Sequence, residues 1–283
     1  MSGGLHLRHD PAGWIEIGTC ADRPLWRYVY RPGTPANEAP RPYAHPVYSI
    51  DGDVMTNFRP NDHPWHHGLS LTMTRVDGVN FWGGPSYRAE DGYQWREDQG
   101  VQRHREWREL TAGRMEERVD WEVGVSGRVL MEERRELMTT VSAGGWGLRW
   151  TSELRNVTAG ALTLGNYEAS AGLVGSHYTG LQFRGARDLL DEHGDGVVGM
   201  RSLAGEGEAA VHGGMASRME WSCQHDGSLR RTRICFESGE GPIPWFVRAK
   251  NPLAAWAFHR EHEVILPPGE RLRLDHRLTF FSI

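Results

Sequence analysis

The sequence predicts an all-β protein, a large antiparallel β-sandwich, from three observations. Apolar and polar residues alternate with a period of two through most of the chain, as they do in strands that bury one face. The 35 glycines and 15 prolines interrupt this alternation at short intervals. No domain linker is evident, so we expect one domain over residues 1–283 in which long antiparallel strands form a sandwich of sheets.

Strands are predicted where an alternating run is bounded by turn residues. In chain order these runs are 14–19, 25–31, 69–75, 115–125, 128–141, 148–154, 218–224, 230–237, 255–259 and 271–280. The last run is the clearest, because it follows a turn sequence at 266–270 and places an apolar residue or histidine at every second position. The residues predicted to share its inner face are Leu272, Leu274, His276, Leu278 and Phe280.

The run 128–141 also has the composition of a helix, since helix-forming residues fill it from Met131 to Leu137. We favour a strand for two reasons. The run ends in the β-branched residues of Thr139-Thr140-Val141, and it can pair with 115–125 across a turn that contains glycine.

Composition and charge narrow the class of protein. The chain is 39% hydrophobic and 24% charged, as expected of a globular protein with a full core. A net charge of −5 is too small to indicate binding to nucleic acid or to an anionic membrane. The sequence shows neither an apolar run long enough to span a membrane nor the apolar segment of a signal peptide. Cys20, Cys223 and Cys235 lack metal or redox spacing, so we expect a reduced, cytoplasmic protein, with homo-oligomerisation left open.

Four histidines form the densest group of titratable side chains in the sequence. His63, His66 and His67 lie within the run 61–68, and His45 lies 18 residues before His63. Imidazole titrates near neutral pH and is the commonest metal ligand, so this group is typical of acid–base catalysis or of a metal site. In the metal interpretation, members of the group bind Mn, Fe or Zn together with a carboxylate. In the third interpretation, two of them only donate hydrogen bonds to backbone carbonyls and stiffen the loop.

A second candidate segment covers residues 165–178. A strand there is predicted to run into a glycine-rich loop that carries Glu168 and His177 beside Tyr167 and Tyr178. A carboxylate among apolar neighbours has a raised pKa, which suits it to proton transfer near neutrality. Glu168 and His177 are therefore candidate catalytic residues, and the alternative is a surface carboxylate and a histidine in a turn.

Tryptophans near turns are candidates for a sugar-binding surface, because an indole ring packs well against the C–H face of a sugar. Those close to turn residues are Trp65, Trp82, Trp95, Trp245 and Trp256. We predict substrate contacts from Trp82 and Trp245, from His45, and from Arg41 and Arg59, which could clamp a carboxylate or polarise a carbonyl. The alternatives are core tryptophans and surface arginines.

Three blocks resemble the hallmark sequence of the bacterial family catalogued as "methane oxygenase PmoA-like". They are Arg41-Pro42-Tyr43-Ala44-His45-Pro46-Val47-Tyr48, Asp62-His63-Pro64-Trp65-His66-His67-Gly68-Leu69 and Asp77-Gly78-Val79-Asn80-Phe81-Trp82. The resemblance implies a soluble domain of poorly defined function, often encoded near sugar-catabolic dehydrogenases of the Gfo/Idh/MocA type. The strand-rich pattern is also similar to the β-supersandwich of galactose-mutarotase-like aldose epimerases, in which a histidine and a glutamate move protons at a sugar ring.

Together these features predict a carbohydrate-active enzyme of the epimerase, lyase or hydrolase type. Its substrate would be a sugar, or an oxidised (keto) sugar or glycoside. His63 and His67 would serve as acid or electrophile, with Glu168 or His177 as base. Two alternatives stay open, a metal-dependent enzyme built on the histidine group and a non-catalytic carbohydrate-binding protein.

Overall fold

The structure, a computed structural model, describes residues 4–191 and 193–283. Strands account for 56% of the chain and helices for 4%. Within the described residues, most strands belong to two large antiparallel sheets, which confirms the predicted all-β sandwich. No helix among these residues is long and apolar enough to cross a membrane.

The elements are numbered in chain order. The first strands are β1 (Leu5–Asp10), β2 (Trp14–Thr19), β3 (Arg23–Val29), β4 (Tyr43–Val47), β5 (Leu69–Met73), β6 (Arg75–Val76), β7 (Ser86–Arg88) and β8 (Gly92–Gln94). The next are β9 (Gly100–Leu110), β10 (Arg114–Val123), β11 (Val129–Ser142), β12 (Gly145–Asn156), β13 (Leu162–Gly165), β14 (Thr179–Arg184), β15 (Leu189–Leu190), β16 (Gly199–Ser202) and β17 (Gly205–Glu206). The last are β18 (Met215–Ala216), β19 (Arg218–His225), β20 (Arg231–Ser238), β21 (Ile243–Pro244), β22 (Phe246–Arg248), β23 (Leu253–Trp256), β24 (Val264–Leu266) and β25 (Arg271–Ser282). The helices are a 3-10 turn (Ala36–Glu38), α1 (Tyr167–Ala171) and α2 (Glu208–Val211).

The first large sheet has the strand order β1-β2-β3-β4-β5-β14-β23-β22. The second has the order β17-β16-β19-β20-β25-β12-β11-β10-β9, and β15 pairs with β19 beside this path. Smaller sheets in the described chain are β24-β13-β6, β18-β21 and β7-β8. Most predicted strands match these elements to within a few residues. The one predicted at 255–259 was misplaced, because β23 covers Leu253–Trp256.

The ambiguous run 128–141 is the strand β11, as predicted. It pairs with β12 in continuous register from Met131 opposite Asn156 to Ser142 opposite Gly145. Its helix-like charged residues include Glu133 and Arg135, which lie on the buried face. They can be buried because they pair with each other, with Arg135 Nη2 donating to Glu133 Oε2 at 2.7 Å.

Tryptophans fill the space between the two large sheets and join them by hydrogen bonds. The fully buried ones are Trp26, Trp121, Trp146, Trp150, Trp221, Trp245 and Trp256. Trp26 Nε1 of the first sheet donates to Thr139 Oγ1 of the second at 3.0 Å. Trp146 Nε1 donates in the opposite direction, to Tyr48 O at 2.8 Å. Trp26 and Trp146 thus bury a large apolar surface and still satisfy their polar atoms.

A second, smaller apolar cluster lies on the outer face of the first sheet. Along β23, Ala254 and Trp256 belong to the main core, whereas Leu253 and Ala255 belong to this outer cluster. Trp82 packs over them together with Phe246, Trp65 and Tyr178. The loops that carry these aromatic rings therefore fold over the outside of the sheet, and they enclose the cavity described next.

Candidate functional site

A cavity of about 310 Å³ lies among these loops. Its lining residues are His63, Trp65, His66, Trp82, Gly83, Pro85, Tyr93, Tyr167 and Tyr178. The lining thus combines two imidazoles, two indoles and three phenols. Pockets for drug-sized ligands span about 300–1,000 Å³, so this cavity has the size for one small ring-shaped molecule.

The loop before β5 presents the two imidazoles through successive tight turns. His63 N donates to Pro60 O at 3.0 Å, and His66 N donates to His63 O at 3.0 Å. Gly68 ends the loop with a φ of 53°. A Cβ at this position would lie 2.3 Å from Ala44 O, so only glycine fits.

Arg41 supports this loop from the protein interior and does not line the cavity. Its side chain is fully buried, and Nη2 donates to Trp65 O at 2.7 Å. Nη1 donates to Glu38 O at 2.9 Å and Ala39 O at 3.0 Å, and Nε donates to Ser70 Oγ at 3.1 Å. Every guanidinium nitrogen therefore has a protein partner, which assigns Arg41 to supporting the loop and not to the substrate contact expected from sequence.

His63 lies beside a carboxylate. Its Nδ1 lies 3.2 Å from Asp62 Oδ2, and Asp62 also pairs with Arg187. Burial raises the pKa of Asp62, but hydrogen bonds from its own backbone amide and from His63 bring it below the ordinary value. The His63 side chain is 45% exposed, and its ring stacks on His66 with centroids 4.9 Å apart. This arrangement leaves Nε2 of His63 for a ligand.

His66 is held as a neutral imidazole with a defined tautomer. Burial, followed by the charge of Arg184, places the pKa of His66 well below its usual value. Arg184 Nη1 lies 3.4 Å from His66 Nδ1. Because a guanidinium can only donate, Nδ1 must accept and the ring proton must be on Nε2. His66 therefore offers an N–H donor to the cavity that it lines.

His67, one residue later, faces the protein interior. It is fully buried, and its Nε2 lies 3.0 Å from Glu38 Oε2. Arg59 grips the same carboxylate, with Nη2 donating to Oε1 at 2.8 Å and Nε to Oε2 at 3.0 Å. Burial, followed by the charge of Arg41, lowers the pKa of His67 to about 4, so its neutral ring donates to Glu38. Neither His67 nor Arg59 lines the cavity, and both tie the 3-10 turn to the loop.

His45 also lies outside the cavity. Its Nδ1 lies 2.9 Å from Thr56 Oγ1, and its ring stacks on Phe58 with centroids 5.5 Å apart. Burial, followed by the charge of Arg27, lowers the pKa of His45 to about 4. The four histidines therefore do not converge. In residues 4–191 and 193–283, no group of three or more His, Cys, Asp or Glu side chains is arranged to hold a metal ion.

Asn80 positions Trp82, which lines the cavity. Asn80 Oδ1 accepts from the backbone amides of Trp82 at 2.8 Å and Gly83 at 3.0 Å, and its Nδ2 donates to Ser86 Oγ at 3.0 Å. Gly84 has a φ of 73°, and a Cβ there would lie 2.4 Å from the Trp65 ring. Trp65 can therefore pack against the loop that follows Trp82 only because position 84 is glycine.

Three tyrosines line the cavity together. The Tyr167 ring lies 5.7 Å from that of Tyr93 and 5.9 Å from that of Tyr178, and Tyr178 in turn lies 5.3 Å from Trp82. Burial, followed by interaction with Tyr178, raises the pKa of Tyr93, and burial raises that of Tyr167 to about 12. Both phenols keep their protons at neutral pH and act as hydrogen-bond donors.

Glu168 and His177 are adjacent in sequence to Tyr167 and Tyr178, but they do not line the cavity. Glu168 accepts from Gly175 N at 3.1 Å and from Arg260 Nε at 3.1 Å, and its Oε2 lies 3.3 Å from His177 Nδ1. His177 is fully buried, with Nε2 3.2 Å from Trp245 O. Burial lowers its pKa. This pair therefore ties α1, which begins at Tyr167, to the segment that ends in Tyr178.

Trp245 is part of the core, so the substrate contact expected from it is not supported. Its indole is fully buried, donates to Ala216 O at 2.9 Å and lies 5.3 Å from the ring of Trp256. Trp82 and Trp65 supply the indoles of the cavity instead.

Sequence reasoning missed Tyr93, Arg184 and Asn80. Tyr93 lies in a short hairpin with no histidine nearby in the sequence. Arg184 is one of many arginines, and only its place on β14 brings it to His66. The dipeptide Gly83-Gly84 after Trp82 was a usable signal for the loop, because paired glycines indicate a close approach of the backbone to another group.

A family model described as "Family of unknown function (DUF6807)" matches residues 18–282. The resemblance to the PmoA-like family was therefore wrong, since the model that matches almost the whole chain is this one. No curated protein matches the sequence.

Several solved structures are similar in fold. A galactose mutarotase-like protein from Clostridium acetobutylicum is 10% identical, with a TM-score of 0.41, over 100% of this chain and 99% of its own. A galactose mutarotase related enzyme from Lactobacillus acidophilus is 8% identical, with a TM-score of 0.40, over 91% of this chain and 95% of its own. A polysaccharide lyase is 9% identical, with a TM-score of 0.37, over 99% of this chain but only 32% of its own. At such identities and scores, these likenesses carry no argument about activity.

Proposed function

The chain belongs to the DUF6807 family of unknown function, and we propose that it is a carbohydrate-active enzyme that moves protons at a sugar or keto-sugar ring. The observation that carries the proposal is the pair of stacked imidazoles in an otherwise aromatic cavity. His63 and His66 are only 4.9 Å apart, yet their surroundings give them different roles. Such a pair is typical of acid–base catalysis.

The lining of the cavity suits a pyranose ring. Trp65 and Trp82 offer flat apolar surface to C–H groups, while Tyr93, Tyr167 and Tyr178 bring phenols to the same space. Aromatic surface combined with a few polar groups is what a sugar needs, since its faces are apolar and its edge is hydroxylated.

His63 is the proposed general base. Asp62 lies against its Nδ1 and favours the tautomer in which Nδ1 carries the proton, so Nε2 has a free lone pair. For a substrate with a carbonyl group, Nε2 would remove the proton from the adjacent carbon, and the electron pair would move to the carbonyl oxygen.

His66 is the proposed electrophile. Its Nε2–H would donate to the oxygen that becomes negative, and it cannot lose its role through protonation because burial and Arg184 keep its pKa low. Return of the proton to the opposite face would give an epimer. Loss of the substituent on the next carbon would give an elimination product, to which water could add in a hydrolysis.

This proposal revises the roles expected from sequence. His66 replaces His67 as the electrophile, because His67 is bonded to Glu38. His63 replaces Glu168 and His177 as the base, because that pair does not line the cavity.

The experiment is solvent exchange in D2O, followed by proton NMR over a panel of aldoses, keto sugars and their methyl glycosides. We expect the wild type to exchange the proton next to the carbonyl of at least one compound. His63→Ala should slow this exchange by roughly 10²–10⁴-fold, the usual contribution of a general base. His45→Gln, outside the cavity, is the matched control and should retain it. Binding without exchange would indicate a carbohydrate-binding protein, and equal exchange by wild type and His63→Ala would refute the assigned base.

A further inference from the structure

Two aromatic side chains beside the cavity are unusually exposed. Of the Phe, Tyr and Trp residues in the described part of the chain, only Tyr93 and Trp95 are exposed, by 46% and 58%. The other described tryptophans of this chain are buried or partly buried. Tryptophan and tyrosine are enriched at binding surfaces, because their rings combine apolar area with one polar group.

These residues extend the wall of the cavity outwards. Tyr93 lines the cavity from β8. Trp95 comes two residues later, just beyond the end of β8 at Gln94. The Trp95 ring stands edge-on to Trp65, another lining residue, with centroids 5.7 Å apart and an interplanar angle of 85°. One continuous aromatic surface thus leads from inside the cavity to the outside.

An ion pair next to Trp95 fixes the end of the hairpin formed by β7 and β8. Arg96 Nη2, just after β8, donates at 2.6 Å to Oδ2 of Asp91, which lies in the turn between β7 and β8. The Arg96 side chain is 18% exposed and that of Asp91 is 48% exposed, so this ion pair lies at the surface. Trp95 therefore projects from a segment held by this ion pair, and the neighbouring Trp65 ring restricts its motion.

We propose that Trp95 forms an outer subsite that stacks on the second pyranosyl ring of a disaccharide whose first ring occupies the cavity. This inference rests on the proposed function and names its substrate class as glycosides. The cavity, at about 310 Å³, is at the lower limit for enclosed ligands, so a second ring would lie outside it. Trp95, the most exposed indole among the described residues, lies against the lining residue Trp65.

A protein partner fits this surface less well. Protein-binding patches on monomers are typically several hundred Å² of contiguous apolar surface. Here two aromatic rings are flanked by charged and polar side chains, Asp91, Gln94 and Arg96. One flat ring with a polar border suits a second flat ring that carries hydroxyls.

The test compares disaccharides with the methyl glycosides of their non-reducing sugars, using isothermal titration calorimetry. The panel is maltose, cellobiose, lactose and melibiose, each paired with its methyl glucoside or galactoside. We expect the wild type to bind at least one disaccharide about three- to tenfold more tightly than its methyl glycoside, the range for one added aromatic contact. Trp95→Ala should abolish that difference and leave the affinity for the methyl glycoside unchanged.

Trp14→Ala is the matched control. Trp14 is a partly exposed indole outside the cavity, and the Arg27 guanidinium packs over its ring. It should keep the difference between disaccharide and methyl glycoside. If methyl glycosides bind and Trp95→Ala changes neither affinity, or weakens both equally, the outer subsite is refuted while the cavity assignment stands. If no member of the panel binds to the wild type, the result counts against the proposed function and refutes the outer subsite with it.

Discussion

Replacing His276 by leucine should make the protein markedly more resistant to acid. His276 lies on β25 with its ring 5.3 Å from that of Trp256, and neither ring nitrogen has a hydrogen-bond partner among the described residues. Burial, opposed only by the charge of Asp275, lowers the pKa of His276 to about 3. The folded protein therefore keeps this ring neutral at neutral and mildly acidic pH.

The magnitude follows from proton binding by the unfolded chain, in which histidine has a pKa of about 6.5. Since the folded-state pKa is depressed, the contribution of His276 to stability is fully present above pH 6.5 and is lost as the pH falls from there towards 3. At pH 5.0 the unfolded state gains about 2 kcal/mol from protonating this one side chain. Leucine has a similar volume and takes up no proton.

The assay is urea unfolding at pH 7.5 and pH 5.0, followed by tryptophan fluorescence. Wild type should lose about 2 kcal/mol more than His276→Leu between the two pH values, because the other histidines contribute equally to both proteins. His262→Gln, at an exposed histidine, should lose as much as wild type. Equal losses in wild type and His276→Leu would show that His276 is hydrated or bonded in solution, contrary to the structure.

Two further predictions concern the loops of the cavity. His67→Ala should destabilise the protein by about 2–4 kcal/mol, because it removes a hydrogen bond to the buried Glu38 carboxylate and leaves a cavity. His63→Ala should be nearly neutral, because the His63 side chain is 45% exposed. Scanning fluorimetry should show a drop in Tm of roughly 5–15 °C for the first variant alone, and similar values for both would contradict their different burial. Asn80→Ala should weaken sugar binding at least about tenfold, because it removes the hydrogen bonds that hold Trp82 over the cavity. Calorimetry that gives wild-type affinity for this variant would remove Trp82 from the site.

The strand pattern was predictable because most long strands here bury one face. In such strands apolar and polar residues alternate with a period of two. β11 shows the limit of propensity, since Glu133 and Arg135 favour a helix in isolation but are buried as a pair in the core. That pairing depends on contacts across the fold, which composition does not contain.

The site was predictable only in part, for a geometric reason. The sequence located the histidine-rich loop. Whether His66 or His67 faces the cavity depends on the backbone conformation of an irregular turn, which has no regular period to predict it from. Tyr167 and Glu168 are likewise adjacent residues on opposite sides of one short helix. Arg184 comes from a strand more than 100 residues away, so only the assembled sheet brings it to His66.

Arg184 also gives the cavity a permanent electrostatic bias. Burial lowers the pKa of its guanidinium to about 10, so it remains a cation across the physiological range, and its Nε and Nη2 find no partner among the described residues. At an effective dielectric constant of about 20, a negative charge roughly 5 Å away gains about 3 kcal/mol from such a cation. The site would therefore favour reactions whose intermediates are anionic over those that pass through an oxocarbenium ion, and inhibitors with a negative charge on the ring should bind better than basic iminosugars.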